Sequence, residues 1–323
     1  MVPIGLSIIG YGIMGERLLR AALDHDAPTV RVEGVFDPAP ESRERLAGTF
    51  PALTRFESAQ AAIDAAQCVY VASPPATHVD YAARALAADR AVFCEKPLAV
   101  DLPMARALVQ ASEHGRAAVN FPFASSFAVE ELRGWLADDT VGAVRNLTIQ
   151  VGFASWPRAW QVAASSWLEK RAQGGFTREV VSHFLFLAQR LLGPLQLESA
   201  RATYPPGDGS ETELRATLIA AGVPVTLAGG VGTTDKADHN LFILQGSRGS
   251  VRLRDWAIAE RLMGDGTWQA DPDALPNEAL RPLVLRRQLD KVAAMTRGED
   301  QNLATLGEAL QVQEIVEAML AED

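Results

Sequence analysis

The chain has 323 residues, 48% of them hydrophobic and 22% charged, a composition that suits a folded protein of two domains. Lys+Arg 30 against Asp+Glu 40 gives a net charge of −10, and with no long basic run the chain lacks the footprint that nucleic acid or an anionic membrane surface requires. The two cysteines, Cys68 and Cys94, are too far apart for a readable disulfide framework or metal cluster, and no apolar run approaches the ~18 residues of a membrane helix, so a small-molecule partner, a cytoplasmic location and no metal are expected.

Residues 4 to 121 alternate short apolar runs with stretches of helical periodicity, the signature of a parallel sheet with crossover helices. The pattern predicts strands at Ile4–Ile9, Arg31–Phe36, a short one near Arg55, then Val69–Ala72, Ala91–Cys94 and Ala117–Phe121. Helices are predicted at Ile13–Asp24, Ser58–Ala66, Thr77–Ala88 and Leu102–His114, the last with Asp101 and Gly115 as N-cap and C-cap. The fold class is α/β, a doubly wound sheet. From about Phe123 the pattern turns β-rich, with strands at Val144–Phe153, Leu197–Thr203, Glu213–Ile219, Val225–Gly230, Leu241–Gln245 and Ser250–Arg254 separated by Gly- and Pro-rich turns. One helix at Thr177–Leu192 and two near the end, Leu283–Thr296 and Leu303–Ala321, complete an α+β domain on a largely antiparallel sheet. The expected domains are 1–122 and 123–323.

The first strand runs into Gly10-Tyr11-Gly12-Ile13-Met14-Gly15 and then a helix. In that setting the three glycines serve a tight turn, a close approach of backbone to pyrophosphate, and helix-on-strand packing. Asp37 ends the second strand, 22 residues past Gly15, where a carboxylate accepts both hydroxyls of an adenosine ribose and repels a 2′-phosphate. The expected cofactor is NAD, with NADP as the alternative. Ser73-Pro74-Pro75-Ala76-Thr77-His78 and Glu95-Lys96-Pro97 follow later strands, at the carboxyl ends where doubly wound sheets place ligands.

Together with Gly174-Gly175 leading into a helix that carries His183, these residues resemble the Gfo/Idh/MocA oxidoreductase family over essentially the whole chain. The resemblance implies a Rossmann domain and contacts to NAD or NADP at Gly10, Tyr11, Gly12, Ile13, Met14, Gly15, Asp37, Ser73, Pro74, Pro75, His78, Glu95, Lys96 and, from the second domain, Trp167. It implies that Lys96 touches both cofactor and substrate, and that the second-domain sheet supports the substrate pocket and a homo-oligomer, dimer or tetramer. An acidic residue with a histidine four positions on is expected on the helix after the glycine pair, here Glu179 and His183. Asn120 and Arg178 complete the expected substrate contacts. Three positions depart from the family pattern: Glu179 replaces the common Asp, Asn120-Phe121-Pro122-Phe123 replaces a Gly followed by Asn or Arg, and Leu168 follows Trp167 where Arg is common.

Four residues is close to one helical turn, so Glu179 and His183 are expected to share a face. Oxidising a secondary alcohol sends a hydride to the nicotinamide and a proton to a base with a pKa near working pH. Histidine starts at about 6.5, and desolvation can pull a lysine down from about 10.4. Lys96 is therefore expected to polarise the substrate oxygen, His183 to take the proton, and Glu179 to orient His183. Arg178 is expected either to reach a substrate anion or to be a solvated arginine. Three functions stay open: an NAD(P)-linked dehydrogenase or reductase for a sugar, cyclitol or related hydroxy compound; the same chemistry on a less polar cyclic substrate, which Phe121, Phe123, Trp156 and Trp160 would suit; and a nucleotide-binding regulatory protein on the same scaffold. Lys96 and His183 weigh against the last.

Overall fold

The computed structural model describes residues 2–112 and 115–321, which group into two compact units. In the first, strands β1 (Ile4–Ile9), β2 (Val30–Phe36), β3 (Cys68–Val71), β4 (Ala91–Cys94) and β5 (Ala117–Val119) form a parallel sheet in the order β2-β1-β3-β4-β5. Every residue of β1, β3 and β4 is buried, as strands covered on both faces must be. The crossovers are helices α1 (Ile13–Leu23), α2 (Pro40–Thr49), α3 (Ala59–Ala65), α4 (His78–Ala87) and α5 (Leu102–Ala111). Leu18, Leu19 and Ala22 of α1 recur at the spacing that puts them into the core under β1.

Two expectations need correction in this unit, and one helix went unread. Helix α2 escaped the periodicity because it buries only Leu46. The strand expected near Arg55 reduces to one parallel bridge to Val35, framed by the N–H of Val35 on the Thr54 carbonyl and the N–H of Phe56 on the Val35 carbonyl. Asp101 caps α5 as expected, accepting the Met104 N–H at 2.8 Å, but the helix closes at Ser112 rather than Gly115. Glu113 and His114 of the expected helix lie outside the described residues.

The second unit carries an eight-stranded sheet built from β6 (Val144–Phe153), β7 (Leu195–Thr203), β8 (Glu213–Ala220), β9 (Val223–Val231), β10 (His239–Gly246), β11 (Ser250–Arg254), β12 (Ile258–Leu262) and β13 (Trp268–Ala270). Its order is β13-β12-β11-β10-β6-β9-β8-β7, antiparallel throughout except where β6 meets β9. Strands β12 and β13 are too short to alternate visibly. Helix α6 (Phe127–Ala137), capped by Ser126, also went unread. The single-turn α7 (Ser165–Leu168) precedes the glycine pair. The predicted helix 177–192 is two pieces, a π-type turn at Thr177–Val181 and then α8 (Ser182–Leu192). Residues 182–188 of α8 are all buried, the mark of a helix that lies within a core rather than on its surface.

Two helices end the chain, α9 (Asn277–Arg297) and α10 (Leu306–Leu320). The sequence suggested a single break at 122/123, whereas the first unit comprises Met1–Ser125 with Pro282–Gln311, and the second Ser126–Arg281 with Val312–Asp323. The cause is apolar: Leu285, Leu289, Val292 and Ala293 of α9 join the core cluster of Leu6, Ile8, Tyr70 and Phe93.

Candidate active site

The strand order of the first sheet reverses between β1 and β3, the switch point where open α/β sheets bind ligands. Gly10 ends β1 there with φ +102°, and a Cβ on it would lie 2.5 Å from the Ser73 nitrogen that follows β3. A Cβ on Gly15 would lie 2.1 Å from the Gly10 carbonyl oxygen, so this glycine lets α1 pack on its own strand. Gly12 differs: nothing lies within 4 Å of a Cβ placed there. The protein itself gives no steric reason for glycine at that position, and the open side fits a pyrophosphate laid against the head of α1. Gly12 is the N-cap and offers no side-chain acceptor to the first helical N–H groups, which leaves them for an anion. Beside this loop the buried Asp37 carboxylate accepts the Tyr11 N–H at 2.7 Å and the Ala39 N–H at 2.8 Å. The Arg45 guanidinium covers the Tyr11 ring, 4.3 Å from its centre. Ile13 and Met14 are half-buried in the first turn of α1. These residues fit an NAD.

The loop after β3 places Ser73 half-buried, Pro74 exposed and Pro75 buried, with the Ser73 and Thr77 hydroxyls 2.7 Å apart. His78 at the head of α4 is 1% exposed, and its ring nitrogens lie 2.8 Å from two carbonyls, Nδ1 from Pro97 and Nε2 from Ser73. Burial pushes its pKa down, against the raising effect of those carbonyls and with help from the Lys96 charge. On the neighbouring strand end, Glu95 Oε1 accepts the Tyr70 hydroxyl and, at 2.5 Å, the Asn120 amide; Asn120 Oδ1 accepts the Gln288 amide at 2.5 Å. Burial and the Glu95 charge drive the Tyr70 hydroxyl well above its ordinary pKa. Lys96 stands half-buried one residue on. Asn120, expected at the substrate, is 1% exposed, with its Nδ2 donating to Glu95 and its Oδ1 accepting from Gln288, so both ends of its amide are engaged by the protein.

In the second unit, Gly174 and Gly175 are required by their neighbours. A Cβ on Gly174 would lie 2.1 Å from the Leu168 carbonyl oxygen, and one on Gly175, at φ +99°, 2.1 Å from Glu211 Oε2. Glu211 Oε1 accepts the Thr177 N–H at 2.7 Å and so heads the π-type turn. Burial raises the Glu211 pKa, against that hydrogen bond and the Arg178 charge. Glu179 lies in the wide turn, where the one-turn rule used for Glu179 and His183 does not strictly apply. Gln161 Nε2 donates to Glu179 Oε1 at 3.2 Å, and Arg158 stands 4.0 Å from the same oxygen. Arg158 in turn donates to Gln161 at 2.8 Å and to Asp238 at 2.7 Å, between the rings of Trp160 and Trp156. Buried His183 meets the Trp256 ring edge-on at 5.3 Å.

Arg178 is neither solvated nor aimed at open space. Its fork donates to both Glu317 oxygens, at 2.7 and 2.6 Å, and to the Arg171 and Gly174 carbonyls, so four of its five N–H donors are spent on the protein. Trp167 is half-buried in α7. Phe121 and Phe123 are core residues, and Trp156 packs with Phe153 and Phe176; of the four aromatics expected to suit a less polar substrate only Trp160, 40% exposed, is open. Sequence reasoning missed Tyr70, Gln288, Arg158, Gln161, Asp238 and Glu211. The run Trp156-Pro157-Arg158-Ala159-Trp160-Gln161 carried a readable signal; Gln288, so distant in sequence from Asn120, carried none.

Similarity to known proteins agrees with this geometry. The chain is 31% identical over 161 residues to the rhizopine catabolism protein MocA of Rhizobium meliloti, covering 49% of each. It is 26% identical over 195 residues to an inositol 2-dehydrogenase of Rhizobium meliloti strain 1021, covering 59% of this chain and 56% of that one. The matches thus span about half the length of these relatives. A solved levoglucosan dehydrogenase in complex with NADH superposes with a TM-score of 0.85 over 99% of this chain and 96% of the other at 18% identity, a likeness of fold. The model of the oxidoreductase family with an NAD-binding Rossmann fold, GFO_IDH_MocA, matches residues 4–121, the stretch that carries the parallel sheet and its glycine loop.

Proposed function

We propose that the chain is an NAD-linked oxidoreductase that moves a hydride between the nicotinamide and a secondary alcohol or ketone of a polyhydroxylated compound such as a cyclitol or sugar. The observation that carries this reading is the open side of Gly12 at the switch point, with Asp37 on one flank and the Lys96 loop on the other strand end. NAD, when bound, supplies the hydride acceptor. Lys96 then binds and polarises the substrate oxygen, His183 takes the hydroxyl proton, and Glu179, held by Gln161 and Arg158, sets the charge around that histidine. Arg178 has a structural role, clamping the glycine turn to Glu317. The burial of Phe121 and Phe123 removes much of the support for a less polar substrate. The similar proteins, a rhizopine catabolism protein, an inositol 2-dehydrogenase and a levoglucosan dehydrogenase, favour hydroxyl-rich rings. Association into dimers or tetramers through the second sheet belongs to the same reading and is measured by light scattering. The test is NAD reduction across a panel of cyclitols, hexoses and anhydrosugars. Sustained NADH formation with at least one is expected; NADH binding with no turnover on any would favour the regulatory reading.

A further inference from the structure

Lys96 lies between two anchored neighbours. On one side is Glu95, whose N–H donates to the Val71 carbonyl at 2.9 Å and whose carboxylate is buried. Taking a carboxylate out of water is costly unless it is well bonded, and a well-packed apolar group of similar volume would usually serve stability as well. What the carboxylate adds is direction. Its Oε1 gathers the Tyr70 hydroxyl from β3 and the Asn120 amide from the end of β5, and Gln288 of α9 holds Asn120 in the orientation that donates. On the other side is Pro97, whose carbonyl oxygen lies 2.8 Å from His78 Nδ1, while the opposite nitrogen of that ring lies 2.8 Å from the Ser73 carbonyl. One imidazole thereby stands between the two ligand loops, and in its neutral form its single N–H donates to one of the two carbonyls.

We propose that Glu95 and His78 are positioning residues that clamp the backbone of Lys96 from both sides, and that Tyr70, Asn120 and Gln288 hold Glu95 in that role. Lysine is a charge on a flexible four-carbon stem, so its aim depends on a fixed root, and small misplacements of a reacting group are costly in rate. The inference rests on the reading that Lys96 works on the substrate oxygen. It moves His78 and the Glu95 side chain from cofactor contact to support, and Asn120 from substrate contact to support.

Amide hydrogen exchange of the 323-residue chain, followed by peptide mass spectrometry over residues 95–99, tests the clamp without a known substrate. Glu95→Ala and Tyr70→Phe should raise exchange there on the order of tenfold, since each loses a hydrogen bond to a charged group, with β1 and β9 unchanged. Glu95→Gln, which keeps an acceptor for Tyr70 and Asn120, should exchange as the parent does. Gln288→Leu, a milder change, covers the case in which Glu95→Ala does not fold, and should also raise exchange locally. With any substrate the panel yields, the loss in Tyr70→Phe should fall on kcat while NADH affinity is kept. Unchanged exchange at 95–99, or an equal rise across the chain, overturns the proposal. Lys96→Met run in parallel separates the two readings: if it keeps full turnover, the role of Lys96 fails, and the clamp is judged by exchange alone.

Discussion

Asp37 has both carboxylate oxygens committed to main-chain donors, Tyr11 and Ala39, so its charge is fixed where the adenosine ribose would lie. A 2′-phosphate set about 4 Å away would meet repulsion of about 4 kcal/mol per unit charge at an effective dielectric of 20, and solvent at the edge trims this severalfold. A remainder of about 1.4 kcal/mol is still tenfold. NADH should therefore bind about ten times more tightly than NADPH in a fluorescence titration, and Asp37→Ser should narrow the gap; equal affinities in the parent would refute the assignment. Asp37 and the three glycines were legible in the sequence because their job is set by local geometry, a turn, a helix head and a strand end. Asn120 and Arg178 were not, because whether an amide or a guanidinium is free is decided by residues such as Gln288 and Glu317 that lie 168 and 139 positions away.

At the scale of the element, the π-type turn at Thr177–Val181 is the feature that periodicity could not reveal. Its apolar spacing reads as plain helix, yet the turn is headed by a buried carboxylate and entered through two glycines whose Cβ atoms would collide with Leu168 and Glu211. Glu211 carries a testable consequence. Burial raises its pKa above the ordinary value of 4.5, so across the interval above 4.5 the folded chain keeps a proton that the unfolded chain has released. The stability this group contributes is present below 4.5 and is lost as pH rises through the folded value. Glu211→Gln retains a carbonyl for the Thr177 N–H and removes the buried charge. Thermal melts should show the variant more stable than the parent at pH 8, with the difference shrinking toward pH 4; a less stable variant at pH 8 would mean that the ionised carboxylate is needed as a helix-head charge.

At the scale of the whole molecule, the alternation of strands and helices made the parallel sheet legible, and the runs of five to ten β-type residues made most of the second sheet legible too. The return of 282–311 to the first unit was not, since an amphipathic helix reveals that it has a core to cover but not which one. A fragment ending at Ser125 would lack Leu285, Leu289, Val292 and Met295 from its core. Each such side chain is worth about 1.5–3 kcal/mol when buried, against a net stability of about 5–15 kcal/mol for a typical protein. That fragment should show no cooperative melt by circular dichroism and no NADH binding; a folded, NADH-binding fragment would show α9 to be dispensable. Within the intact chain, Lys96 is proposed to serve the chemistry rather than the holding of the cofactor. The most direct measurement is the rate of NADH formation by Lys96→Met at saturating NAD with the best substrate of the panel, beside its NADH affinity. Turnover should fall by about a hundredfold or more, the scale of a lost acid–base or polarising group, with affinity for NADH nearly unchanged; turnover at the parent rate would show that Lys96 takes no part in the chemistry.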